Sequence, residues 1–204
     1  MRAAIAIFPG VDDLDAFGPF EVLANAAAGG ADIEVRLLTA QPAEEVPTSH
    51  GATVKPHGVL PDHLDLLIVP GGGWNDRAAQ GAWAEAHGTV LPEAIRRHHQ
   101  AGASVASVCT GAGILAAAGV LEGRRATTHH AARRDLEERG VEIVDARVVD
   151  DGDVITAAGV TAGIDLALWL VERHWGQELA DGIAREMEYE RRGPVATASG
   201  LHSR

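Results

Sequence analysis

The chain has 204 residues, 46% of them hydrophobic, enough for one domain with a sizeable core. Its 17 Lys and Arg against 29 Asp and Glu give a formal charge of −12, which argues against nucleic acid or an anionic membrane as partner. One cysteine excludes an internal disulfide, and no run reaches the ~20 apolar residues of a membrane helix, so a cytoplasmic protein is expected.

Residues 3–8 are a short apolar run stopped by Pro9-Gly10, which predicts a buried first strand; it is too short for a signal sequence and meets Asp12, Asp13 and Asp15 at once. Residues 11–17 read as a loop with three aspartates. Gly18-Pro19 then opens a helix, with Glu21 placed to favour its dipole and Val22, Leu23 and Ala26 as its apolar face. Residues 33–40 form a second strand. Prolines and glycines make 41–60 an irregular excursion with a hairpin through Thr53-Val54-Lys55. Residues 65–70 are another buried strand, ending in Gly71-Gly72-Gly73 and Trp74. A helix over 83–101 follows, with Leu91, Ile95 and His98 or His99 at helical spacing and Gly102 as its stop. The His98-His99 pair is expected at the surface.

The run Ser104-Val105-Ala106-Ser107-Val108-Cys109-Thr110-Gly111 reads as strand, tight turn and helix. Such a turn pushes Cys109 out at the strand's carboxyl end, over the first free N–H groups of the helix, a setting that lowers a thiol pKa. The shape resembles the nucleophile elbow of hydrolases with Cys in place of Ser. A small buried hydrophobe is the competing reading of the same residue. Beyond it, Thr127-Thr128-His129-His130 leads into a charged surface helix over 131–139. Residues 141–149 and 154–158 are strands joined at Asp150-Asp151-Gly152-Asp153. Residues 160–175 form a largely buried helix, and Leu179, Ile183 and Met187 mark a last one ended by Gly193-Pro194. Residues 194–204 are small and polar and are expected to be a flexible tail.

Strands alternating with helices predict an α/β fold: a flavodoxin-like, doubly wound, mostly parallel sheet with helices on both faces, in a single domain over residues 1–193. Ligands bind such sheets beyond the carboxyl ends of the strands. That rule gathers the Asp15 loop, Gly71-Gly72 and Cys109 at one place. Gly71 and Gly72 can present backbone N–H groups to a thiolate or a developing negative charge. Thr110 offers an N–H beside the nucleophile and a hydroxyl for substrate or water, or it caps the helix. Trp74 is either a wall of the pocket or core packing.

Val69-Pro70-Gly71-Gly72, Ser107-Val108-Cys109-Thr110-Gly111, Thr127-Thr128-His129 and Thr156-Ala157-Ala158-Gly159 resemble, in this order, the motifs of the ThiJ/PfpI superfamily, whose fold is that of class I glutamine amidotransferases. The likeness runs from Ala3 to about Tyr189. Leu14-Asp15-Ala16-Phe17-Gly18-Pro19 together with Cys-Thr-Gly is most similar to its isonitrile hydratase branch. In the protease-like and glyoxalase-like branches the residue after the cysteine is often histidine; here it is Thr110.

The resemblance implies that Asp15 approaches Cys109, as a general acid whose pKa is raised by the neighbouring thiolate. It implies that His129 lies near the thiol, and that the protein is a homodimer acting on a small molecule. Cys109, His129 and Asp15 offer three of the ligands a metal needs, but thiolate chemistry explains them more simply, so no metal or cofactor is expected. The implied activity is addition of water to an isonitrile through a covalent Cys109 thioimidate, giving an N-substituted formamide. A glyoxalase or deglycase acting on small α-oxoaldehydes, and a non-catalytic cysteine sensor, are the alternatives. Glu21 is the fallback acid.

Overall fold

The computed structural model describes residues 1–88, 90–198 and 200–202. Its main sheet is built from β1 (Arg2–Ala6), β2 (Glu34–Leu38), β3 (Leu66–Val69), β4 (Ser104–Val108), β5 (Val148–Asp150), β6 (Val154–Ala157), β7 (Val195–Thr197) and β8 (Gly200–His202). Among the described residues these run in the order β8-β7-β5-β6-β4-β3-β1-β2. All neighbours are parallel except β5 with β6 and β7 with β8. The helices are α1 (Asp13–Ala28), α2 (Ala82–His87), α3 (Val90–Gln100), α4 (Gly111–Ala117), α5 (Arg133–Glu137), α6 (Ala162–Trp175) and α7 (Gln177–Glu186). None is long and apolar enough to cross a membrane.

The central strands are built of apolar and small residues without polar alternation because both faces are covered, and every residue of β3 and β6 is buried. Ile5, Leu67 and Ile68 are fully enclosed, each stabilising the fold by roughly 2 kcal/mol. Register sets the level of the strand ends. Val69 pairs with Ser107, and Val108 pairs with Ala157. The turns after β3, β4 and β6 therefore leave the sheet side by side.

Several boundaries differ from the sequence expectation. Helix α1 begins five residues before Gly18, because Asp12 takes an extended conformation and its carboxylate accepts the N–H groups of Leu14 and Asp15. Pro19 thus lies inside the helix, where it has no N–H to give to the carbonyl of Asp15. The helix expected over 83–101 is two, α2 and α3, parted at Gly88, whose extended backbone leaves the helical path; Thr89 lies outside the described residues. The strand expected over 141–149 is also two pieces, since Glu142–Ile143 leaves the main sheet to pair with Arg125–Ala126. Helix α7 stops at Glu186, before Gly193-Pro194.

The tail expected to be flexible carries β7 and β8. Val195 and Ala196 are buried against β5, so this segment completes the sheet edge; Ser199, Ser203 and Arg204 of that expectation lie outside the described residues. His98 is a further correction. It faces the core from α3, fully buried, while its neighbour His99 turns outward to Asp153.

Candidate active site

Cys109 sits between β4 and α4 with φ +57°, the left-handed conformation that a β-carbon disfavours and an elbow requires. The backbone around it is tied on both sides. Its N–H donates to the Ala158 carbonyl at 2.8 Å, and its own carbonyl accepts the Thr128 hydroxyl at 2.7 Å. The backbone N–H groups of Thr110 and Val160 donate to its sulfur. Fold topology thus aims two amides at the thiol, one from the elbow and one from the turn after β6.

Asp15 reaches the same point from the first turn of α1 and is completely buried. Its Oδ2 accepts the Gly71 N–H at 2.9 Å. Its Oδ1 is enclosed without a hydrogen-bond partner among the described residues. Burial pushes the carboxyl pKa up to about 7, and the charge of Asp12 adds to that; the hydrogen bonds from Gly71 and from the Cys109 thiol act in the opposite direction.

The thiol pKa does not fall as the elbow geometry predicts. Burial and then the Asp15 charge push it up to about 12, and the Val160 and Thr110 amides recover only part of that. The seven-residue α4 is too slight a dipole to outweigh an enclosed carboxylate. At rest the sulfur keeps its proton and shares it with Asp15.

The glycines serve the site in a different way from that expected. Gly71 gives its N–H to Asp15, and Gly72 gives its own to the Thr110 hydroxyl oxygen at 3.0 Å, so neither is free to face a thiolate. The chain passes so close at Gly71 that a β-carbon there would stand 2.5 Å from Thr110 Oγ1 and 3.0 Å from Asp15 Oδ2. Because Thr110 Oγ1 accepts from Gly72, its hydrogen is left to point elsewhere. Thr110 makes no side-chain cap to its own helix.

His129 lies beside the turn after β6: a β-carbon on Gly159 would be 2.6 Å from its Cδ2. Its Nδ1 accepts the Ala131 N–H, which leaves the ring proton on Nε2. Burial, then the neighbouring His130, lowers its pKa and keeps it neutral. Trp74 is placed as packing. Its ring covers Gly113 and meets Trp83 edge-on, and Nε1 donates to Asp135 at 2.7 Å. Glu21 is exposed on α1, whereas Asp15 is buried. Asp13 is held by the Thr48 hydroxyl and His50.

Residues 1–173 match the model of the DJ-1/PfpI family. The chain belongs to the DJ-1/PfpI family. It is 36% identical over 201 residues to the isonitrile hydratase of Pseudomonas putida, a match covering 98% of this chain and 83% of that one. It is also 36% identical over 127 residues to a deglycase of Pyrococcus abyssi, covering 60% of this chain and 70% of the relative. Among solved structures, a ThiJ/PfpI family protein from Pseudomonas syringae superposes with a TM-score of 0.83 at 28% identity, over 95% of this chain and 76% of that one. The elbow, the acidic residue of α1 and the turn after β6 are thus set in a DJ-1/PfpI fold. Val160 is the site residue that sequence reasoning passed over. The same strand-end rule that collects Gly71 and Cys109 applies to the turn after β6, which follows the Thr156-Ala157-Ala158-Gly159 motif.

Proposed function

We propose that this DJ-1/PfpI protein is an isonitrile hydratase, adding water to R–N≡C to give R–NH–CHO. One observation carries the reading: a fully buried carboxyl poised near neutrality, with one oxygen unpartnered, faces the only cysteine. An isonitrile's terminal carbon accepts a nucleophile and a proton at the same atom. A thiol and a single carboxyl suffice for that chemistry.

In this mechanism the Cys109 sulfur bonds to the terminal carbon while its proton passes to Asp15 and from Asp15 to the same carbon. The product is the thioimidate R–N=CH–Sγ. Water then adds to that carbon, giving one proton to Asp15, and the nitrogen takes it back to form R–NH–CH(OH)–Sγ. The C–S bond breaks, the hydroxyl proton returns through Asp15 to sulfur, and R–NH–CHO leaves. The Thr110 and Val160 amides support charge on sulfur in both steps. The free hydrogen of the Thr110 hydroxyl is a donor for water or the substrate nitrogen, and Gly71 holds Asp15 in line. His129, neutral with Nε2–H, is assigned to the substrate side of the turn. Trp74 supports α4 from behind. The proposal extends to a cytoplasmic homodimer acting on a small molecule.

The deglycase of Pyrococcus abyssi favours a second reading, covalent addition of Cys109 to an α-oxoaldehyde. The test is turnover of a simple aliphatic isonitrile, read by NMR of the formyl proton, beside loss of methylglyoxal. Multiple turnovers to the formamide support the hydratase. Consumption of methylglyoxal alone favours the deglycase, and a single equivalent reacted with either compound marks a sensor.

A further inference from the structure

Val160 is held in the left-handed region at φ +41°, unusual for a β-branched residue, and in this conformation its N–H favours the charged form of the Cys109 sulfur. Something outside the turn must over-determine it. The turn of residues 158–161 is bracketed by one residue. The Arg147 carbonyl accepts the Ala158 N–H at 2.9 Å, and Arg147 Nη2 donates to the Thr161 hydroxyl at 3.1 Å. The same guanidinium gives its Nε to Asp165 at 2.7 Å, a carboxylate that is itself fully buried on α6. Tyr189 donates to Asp165 at 2.9 Å, and the Arg192 N–H meets its other oxygen at 3.0 Å.

Thr161 is the revealing member. It stands at the N-cap of α6, where a threonine ordinarily accepts an N–H of its own helix. Here it makes no such bond, and its oxygen is turned to Arg147. A cap has been given up for a brace.

We infer that Arg147, anchored on Asp165, is a positioning residue that holds the Gly159-Val160-Thr161 turn so that the Val160 amide points at the Cys109 sulfur. Arg147 touches neither thiol nor substrate; it acts through the backbone. The effect on turnover rests on the hydratase reading, but the effect on the thiol does not.

The decisive comparison is Thr161→Val against Thr161→Ser, read by the iodoacetamide alkylation rate of Cys109 at pH 8 in the full chain. Below the thiol pKa that rate follows the thiolate fraction, partly offset by the greater nucleophilicity of a more basic sulfur. Losing one well-aligned donor to the charged form is worth about one pKa unit, so Thr161→Val is expected to slow alkylation about three- to tenfold. Thr161→Ser keeps the oxygen and is expected within about twofold of the parent rate. Because no cap bond is lost, both should melt within about 2 °C of the parent. Arg147→Lys, which keeps a cation for Asp165 but cannot fork to Thr161, is expected to match Thr161→Val. With an isonitrile, kcat should fall while KM holds. Alkylation of Thr161→Val at the parent rate, or equal slowing in valine and serine variants, overturns the inference. Slowed alkylation in Thr161→Val but no isonitrile turnover by the parent leaves the brace standing and removes the hydratase reading.

Discussion

Two aspartates on two packed helices, Asp15 of α1 and Asp165 of α6, are equally and completely buried, yet the fold treats them in opposite ways. Asp165 receives the Arg147 guanidinium, the Tyr189 hydroxyl and the Arg192 amide, so both oxygens are met by donors. Asp15 receives one amide on one oxygen and has only a thiol for company on the other side. An enclosed carboxylate with too few donors is expensive, and Asp15 answers by holding a proton near neutrality. Donor supply distinguishes a carboxyl that fixes structure from one that can move a proton.

The sharpest way to break this contrast is to remove the chemistry from one side. Cys109→Ser should abolish isonitrile turnover with the fold retained, because no group at the site is basic enough to activate a hydroxyl. Asp15→Asn should lower kcat roughly a hundredfold or more, since an amide cannot carry a proton between sulfur and carbon. The same change removes a negative neighbour, so the Cys109 pKa should fall and alkylation at pH 8 should quicken even as turnover collapses. Parent-like turnover in Asp15→Asn would mean that another group moves the proton.

The other side of the contrast should fail by unfolding. Asp165→Ala strips the partner from Arg147 and Tyr189 and should cost about 3 kcal/mol in urea titration, part of the loss being offset by solvent reaching Arg147. A loss no larger than that of a surface substitution would show that the donors, not the carboxylate, hold the cluster.

Stability against pH sharpens the pair further. The Asp15 carboxyl titrates at about 7 folded and near 3.8 unfolded, so the unfolded chain sheds this proton first as pH rises. The folded state therefore loses stability between about pH 4 and 7, by roughly 4 kcal/mol from this group at most. Asp15→Asn should consequently melt several degrees higher than the parent at pH 8, and show little advantage at pH 4. An equal or lower melting temperature at pH 8 would place compensating donors around Asp15.

The smallest effect belongs to His98. Its ring is buried with neither nitrogen partnered among the described residues, and burial first, then the charge of Arg97, lowers its pKa. Asp62 opposes that shift and His63 adds to it. Below about pH 6.5 the unfolded chain takes up a proton that the folded one refuses, so stability falls on acidification. His98→Phe, made in the Asp15→Asn background to remove the opposing slope, should flatten that fall in thermal melts between pH 7.5 and pH 5.5. An unchanged slope would remove His98 from the pH response.

What the sequence showed follows from what a pattern can carry. Period and punctuation placed β1, β3, β4 and the elbow, because both-face burial leaves short runs of apolar and small residues closed by glycine or proline. The strand-end rule then brought Asp15, Gly71 and Cys109 together, as observed. The start of α1 was hidden because Pro19 reads as a first-turn proline, while the residue that caps the helix is Asp12. The direction of the thiol's shift was hidden for a deeper reason. Strand-turn-helix reports where Cys109 sits, whereas its acidity is set first by the depth of the site and then by a carboxyl almost a hundred positions away. The Arg147 brace was invisible for the same reason, since its partners Thr161, Asp165 and Tyr189 are united only by folding.

Gly71 carries a consequence for anyone reshaping this site by laboratory evolution. The smallest alternative at that codon, alanine, already collides with the hydroxyl and the backbone nitrogen of Thr110 and presses on the Asp15 carboxylate. Saturation libraries should therefore return a single surviving letter there. Diversity is better spent on side chains that have room to change, beginning with His129, half-buried beside Gly159.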